Sequence, residues 1–121
     1  MRVLSAADII QCDDKKLEPV DVPEWGGTVW IRTMTASERD AFEQEFVDLR
    51  QGKTRSGTVA NVRAKFAARV LCDQHGVRLF EDKDITELGR KSASALDRVF
   101  DAGMKLNGFS QRDVQELAGN S

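Results

Sequence analysis

Four groups of residues have types and spacing that chemistry could use. The first is Gly52-Lys53-Thr54, which has the last three residues of a phosphate-cradling loop. Such a loop also needs a glycine five positions before the Gly-Lys pair and a strand leading in. Position 47 is Val47, and a helical pattern leads in instead, so nucleotide binding is not expected. The second is the acidic row Glu38, Asp40, Glu43, Glu45 and Asp48. Rows of carboxylates can bind metal or move protons. Here no histidine or Gly-bounded loop stands beside them, and their spacing spreads them round the solvent side of a helix. The third is His75, the single histidine, inside the turn Asp73-Gln-His-Gly76. A lone histidine in a turn is expected to face solvent, not to serve as ligand or base. The fourth is the pair Cys12 and Cys72, each on an apolar helix face. They read as two buried reduced thiols, with a disulfide or metal pair as the alternative. No nucleophile–base pair, metal spacing or phosphate cradle remains. The residues point to an interaction or structural protein, not an enzyme, with no catalytic, cofactor or metal site.

Composition supports that direction. Lys and Arg number 18 and Asp and Glu 20, a net charge of −2. That balance argues for no nucleic acid, membrane or acidic substrate. At 121 residues the chain reads as one domain, long enough for a core without staples. It shows no signal or transit peptide and no apolar run of about 18 residues, so a reducing cytosol is expected.

The elements follow from periodicity and caps. The organising one is 92–107, where Leu96, Val99, Phe100, Gly103 and Leu106 form an apolar stripe between a Ser92 cap and Gly108. A short helix is expected at about 5–12, capped by Ser5 and Asp8 and docked by Ile9 and Ile10. Residues 17–34 read as a β-hairpin whose core face carries Val20, Val22, Val29 and Ile31. A Gly26-Gly27 turn would set Val22 opposite Ile31; a four-residue loop, 24–27, would set it opposite Val29. Both keep the same faces, because a shift of two preserves parity. Thr35 and Glu38 form a capping box for a helix at about 36–51. A flexible, cationic loop at 52–57 separates it from a basic helix at about 58–72, and the two are expected to pair antiparallel. Short helices at about 82–89 and 111–118 complete the chain. The fold class is α+β: a mostly helical single domain, with an N-terminal hairpin on a small helix bundle.

The outer face of the hairpin is expected to carry Pro23, Trp25 and Trp30. This chain has only six Phe and two Trp, so two tryptophans there are unusual. Either another helix of the chain covers them, or they form a contact surface, where Trp is favoured. Trp25 and Trp30, with Lys53 and Arg55 of the loop, are the expected partner contacts.

Several blocks together resemble the tail assembly chaperones of long, non-contractile-tailed (lambda-like) bacteriophages. They are Val22-Pro-Glu-Trp-Gly-Gly-Thr-Val29 with Arg32 and the run 35–42; the run 71–80 with Asp82, Asp84 and Leu88; and the run 91–108 with Asp113-Val-Gln-Glu-Leu117. In order and spacing these cover about nine-tenths of the chain. Departures are Asp73-Gln-His-Gly76, where the pattern has Asp-x-Asp-Gly, and Gly119-Asn120, where it has a terminal Lys-Asn.

The resemblance implies a non-catalytic protein of the host cytoplasm, absent from the finished virion. It implies that the chain coats and solubilises the tape-measure protein, helps recruit tail-tube subunits and self-associates into oligomers. The alternative is a small structural virion component, such as a head–tail connector subunit. The resemblance also implies a longer product made by −1 ribosomal frameshifting. Ala118-Gly119-Asn120 can be encoded GCG GGA AAC, which contains the slippery heptamer G GGA AAC, so Gly119 and Asn120 mark a possible recoding site.

Overall fold

The computed structural model describes residues 1–50 and 61–109, with side chains for all of these except 46–50. The expected loop 52–57 with Lys53 and Arg55, the helix 111–118, and Gly119 and Asn120 lie outside the described residues.

Helix α1 (Ala6–Gln11) starts where expected. The Asp8 N–H donates to Ser5 Oγ at 3.1 Å, and the Ser5 N–H donates to the Asp8 carboxylate at 2.9 Å. Its docking does not occur: Ile9 and Ile10 are 59% and 83% exposed, and α1 buries no residue. Strand β1 (Leu17–Val22) pairs antiparallel with β2 (Gly27–Arg32). The register differs from both expectations, with Val22 opposite Gly27 and Val20 opposite Val29. Pro23 is the cause. Instead of spoiling a ladder position, it opens a single 3₁₀ turn over Pro23–Trp25. Gly26 closes that turn at φ +76°, its N–H donating to the Pro23 carbonyl at 3.0 Å. Parity survives the slip: Val22 and Ile31 are fully buried, and Val20 and Val29 pack partly against the core.

Helix α2 (Ala36–Arg50) opens on the predicted capping box. The Glu38 N–H donates to Thr35 Oγ1 at 3.2 Å, and the Thr35 N–H donates to Glu38 Oε1 at 2.8 Å. Helix α3 (Val62–Val70) ends two residues earlier than its periodicity suggests. Leu71 and Cys72 form instead a third strand, β3, which pairs antiparallel with β2 as Ile31↔Leu71 and Trp30↔Cys72. The sheet order is β1-β2-β3. No glycine or proline stops α3. The open edge of β2 takes the backbone groups of Leu71–Cys72, and β-branched Val70 gives little resistance. A 3₁₀ turn at Asp82–Asp84 leads into α4 (Ile85–Leu88).

Helix α5 (Ala93–Leu106) is central, as expected. Ser92 Oγ accepts the Ala95 N–H at 3.1 Å. Ala95, Leu96, Val99, Phe100, Gly103 and Met104 are buried, and α5 meets α3, β1, β2 and the hairpin turn. Phe66 of α3 is the hub of the core. Its ring lies 5.3 Å from Phe42, 5.4 Å from Phe100 and 6.4 Å from Phe109, all in tilted or edge-to-face contacts.

Candidate interaction surface

The two tryptophans do not share a face. Trp25 ends the 3₁₀ turn and packs, half-buried, against the core, because Pro23 rolls that segment inward. The same turn is hooked to α5: Arg98 Nε and Ser94 Oγ each donate to the Glu24 carboxylate at 2.8 Å. Trp30 stays on the outer face, 37% exposed, in a row with Pro19 of β1 and Cys72 of β3. Beyond β3 the chain turns back. The Asp73 carboxylate accepts the N–H groups of His75 at 2.7 Å and Val77 at 3.0 Å, which holds its pKa below the ordinary carboxylate value. A bridge between Cys72 and Arg78 extends the sheet and leaves Val77 and Leu79 exposed beside it.

The titratable groups serve the fold. Cys72 is buried in β3, and burial pushes its thiol pKa up, away from a reactive thiolate. Cys12 corrects the expectation of two buried thiols: it lies just past α1, which buries no residue, and is exposed and free. His75 is exposed in its turn, as expected. The acidic row on α2 is not simply solvated. Glu38 accepts Arg32 Nη2 at 2.6 Å, and Glu45 accepts both terminal nitrogens of Arg69, at 2.6 and 3.2 Å. Both arginines are buried, and Arg32 Nε also donates to the Arg69 carbonyl at 3.0 Å. Opposite charges on successive helices hinted at such contacts, but the choice of Arg32 as a partner had no sequence signal beyond its place in a strand.

An open cleft of about 500 Å³ lies near the start of α2, bordered by Lys16, Thr33, Thr35, Arg39 and Asn107. Its best-placed polar groups already have partners. Asn107 accepts the Met34 N–H at 2.7 Å and donates to the Gly103 carbonyl at 2.8 Å. Arg39 donates to the Asn107 carbonyl at 2.8 Å and lies 4.0 Å from the centre of the Phe109 ring. Among the described residues no His, Cys, Asp and Glu cluster could hold a metal ion. What this arrangement offers another molecule is surface: one exposed tryptophan on the sheet, exposed Val77 and Leu79 in the segment after β3, and an N-terminal helix whose Ile9 and Ile10 are exposed.

Comparison with known proteins agrees. No curated protein matches the chain. The tail assembly chaperone of bacteriophage HK97 has a similar fold, with a TM-score of 0.59 over 84% of this chain and 89% of that one, at 20% identity. The family model described as phage tail assembly chaperone matches residues 11–120. A match of that extent, over the hairpin, the third strand and the central helix alike, places this chain in the phage tail assembly chaperone family.

Proposed function

We propose that this chain binds the tape-measure protein during tail assembly, keeps it soluble and helps recruit tail-tube subunits, without catalysis. The observation that carries this reading is family membership across nearly the whole chain. The physical reasoning fits it. A chaperone without an energy source holds its client by mass action, covering apolar surface until a competing partner takes over. Several copies along one long client give avidity from individually weak contacts. The exposed Trp30 suits such a contact, and Lys53 and Arg55 remain proposed contacts. Work in the host cytoplasm and absence from the finished virion belong to the same proposal. So does a frameshifted longer form with its recoding site at Gly119 and Asn120, which the codons of the gene decide.

Co-expression with the tape-measure protein of the same phage tests the reading. The expected result is that this otherwise insoluble client moves to the soluble fraction and co-purifies with the chain. Trp30→Ala should reduce the soluble fraction severalfold while leaving the chain folded. A client equally insoluble with and without the chain would overturn the proposal.

A further inference from the structure

Asn107 and Gly108 stand at the C-terminal end of α5, where the helix closes on itself. The Gly108 N–H donates to the Lys105 carbonyl at 3.1 Å and the Phe109 N–H to the Met104 carbonyl at 3.0 Å, with Gly108 at φ +78°. Asn107 adds a tertiary fastening. Its Oδ1 accepts the Met34 N–H at 2.7 Å, and its Nδ2 donates to the Gly103 carbonyl at 2.8 Å and reaches the Arg32 carbonyl at 3.5 Å. One side-chain amide thus ties the chain leaving β2 to the end of α5. Arg39 of α2 closes the same corner: it donates to the Asn107 carbonyl at 2.8 Å and lies over the Phe109 ring.

This pair of residue types has a chemistry of its own. An asparagine before glycine is open to attack by the next backbone nitrogen on its side-chain carbon, because glycine puts no side chain in the way. The Gly108 nitrogen, its proton lost to solvent, bonds to Asn107 Cγ. The Cγ–Nδ2 bond breaks, ammonia leaves, and a cyclic imide remains. Water opens the imide at either carbonyl and leaves aspartate or isoaspartate at position 107. Water is the one co-reactant, and Gly108 is exposed to it. The folded corner withholds the reaction. The Lys105 carbonyl holds the attacking N–H, and backbone groups fix both ends of the side-chain amide. At ψ 3° the Gly108 nitrogen also eclipses the nitrogen of Asn107 and is turned away from its side chain.

We propose that Asn107 is a deamidation site gated by local opening of this corner, and that its conversion unfastens the hairpin from α5. A carboxylate at 107 has no proton to donate, so it would set negative oxygen against the Gly103 and Arg32 carbonyls where an N–H now stands. Isoaspartate would in addition lengthen the backbone inside the helix closure. The change is one-way, so each opening carries a fixed chance of retiring the fold.

The experiment follows position 107 by peptide mapping and mass spectrometry on the full chain, aged at mildly alkaline pH with and without denaturing urea. In urea a mixture of isoaspartate and aspartate is expected at 107; in native buffer the conversion should be at least tenfold slower. Arg39→Ala should raise the native rate severalfold, leave the rate in urea unchanged, and lower the hydrogen-exchange protection of the Gly108 amide in parallel. If that variant does not fold, the parent in urea below its unfolding midpoint carries the same comparison, with conversion and Gly108 exchange rising together. Asn107→Asp, the direct product, should melt below the parent. No conversion at 107 in urea overturns the proposal, and so does a native rate equal to the rate in urea. Faster Gly108 exchange without faster conversion would overturn the gating, and an Asn107→Asp chain as stable as the parent would overturn the unfastening. None of these readouts involves a client, so the chaperone reading stands or falls separately.

Discussion

Among single residues, Gly103 shows most directly how this core is built. It lies in the middle of α5, where glycine costs about 1 kcal/mol relative to alanine in helix propensity. The reason for it is contact: a Cβ there would come within 2.5 Å of Cε2 of Phe66 and 3.1 Å of its Cζ. Phe66 cannot easily give way, since three other aromatic rings hold it. Gly103→Ala should therefore destabilise the protein. Overpacking costs about 1–3 kcal/mol, and the gain in propensity offsets part of it. A net loss of about 1–2 kcal/mol is expected in urea unfolding, and a variant as stable as the parent would show that the ring has room to move. In the sequence Gly103 was visible only as part of an apolar stripe. That its role is close approach follows from a ring 37 residues earlier, which no local pattern encodes.

Helix α2 is the element whose attachment depends most on charge. Phe42 enters the core, while Arg32 from β2 holds Glu38 and Arg69 from α3 holds Glu45. Burial by itself pushes the Glu38 pKa up. The hydrogen bond from Arg32, the Thr35 N–H and the Arg32 charge outweigh it, and the net shift is below the ordinary value of 4.5. The folded-state pKa is thus depressed. The corresponding stability is present above the unfolded value and is lost as pH falls through the folded one. Glu38→Gln should lower stability at neutral pH by on the order of 1 kcal/mol, given partial solvent screening. It should also flatten the decline below about pH 4.5, where the parent's own pair is being protonated. Urea midpoints at pH 7 and pH 4 measure both; parallel pH profiles would show that the pair contributes nothing. The capping box that starts α2 was legible because it is local, three residues from end to end. Its ion pairs were not, because they join residues up to 24 positions apart.

For the molecule as a whole, family membership and the exposed apolar groups lead to one expectation about the virus. A protein that acts by covering a client during assembly should leave before the particle is complete. A mass-spectrometric inventory of purified particles should then lack this chain, while lysates of infected cells contain it; a stoichiometric copy in mature particles would favour a connector-like structural role. What the sequence determined by itself was local or periodic: the caps of α1, α2 and α5, the alternation that buries Val22 and Ile31, and the stripe that makes α5 central. It also carried the succession of motifs that the family match reproduces. Only the tertiary structure decided the rest. Leu71 and Cys72 left their helix because an unpaired edge of β2 was there to bond them. Trp25 turned inward because Pro23 closed a 3₁₀ turn, and Ile9 and Ile10 stayed exposed because none of the described elements packs over them. Backbone hydrogen-bond demand and apolar burial act between segments brought together by folding, and a linear pattern states each segment's preference without its neighbour.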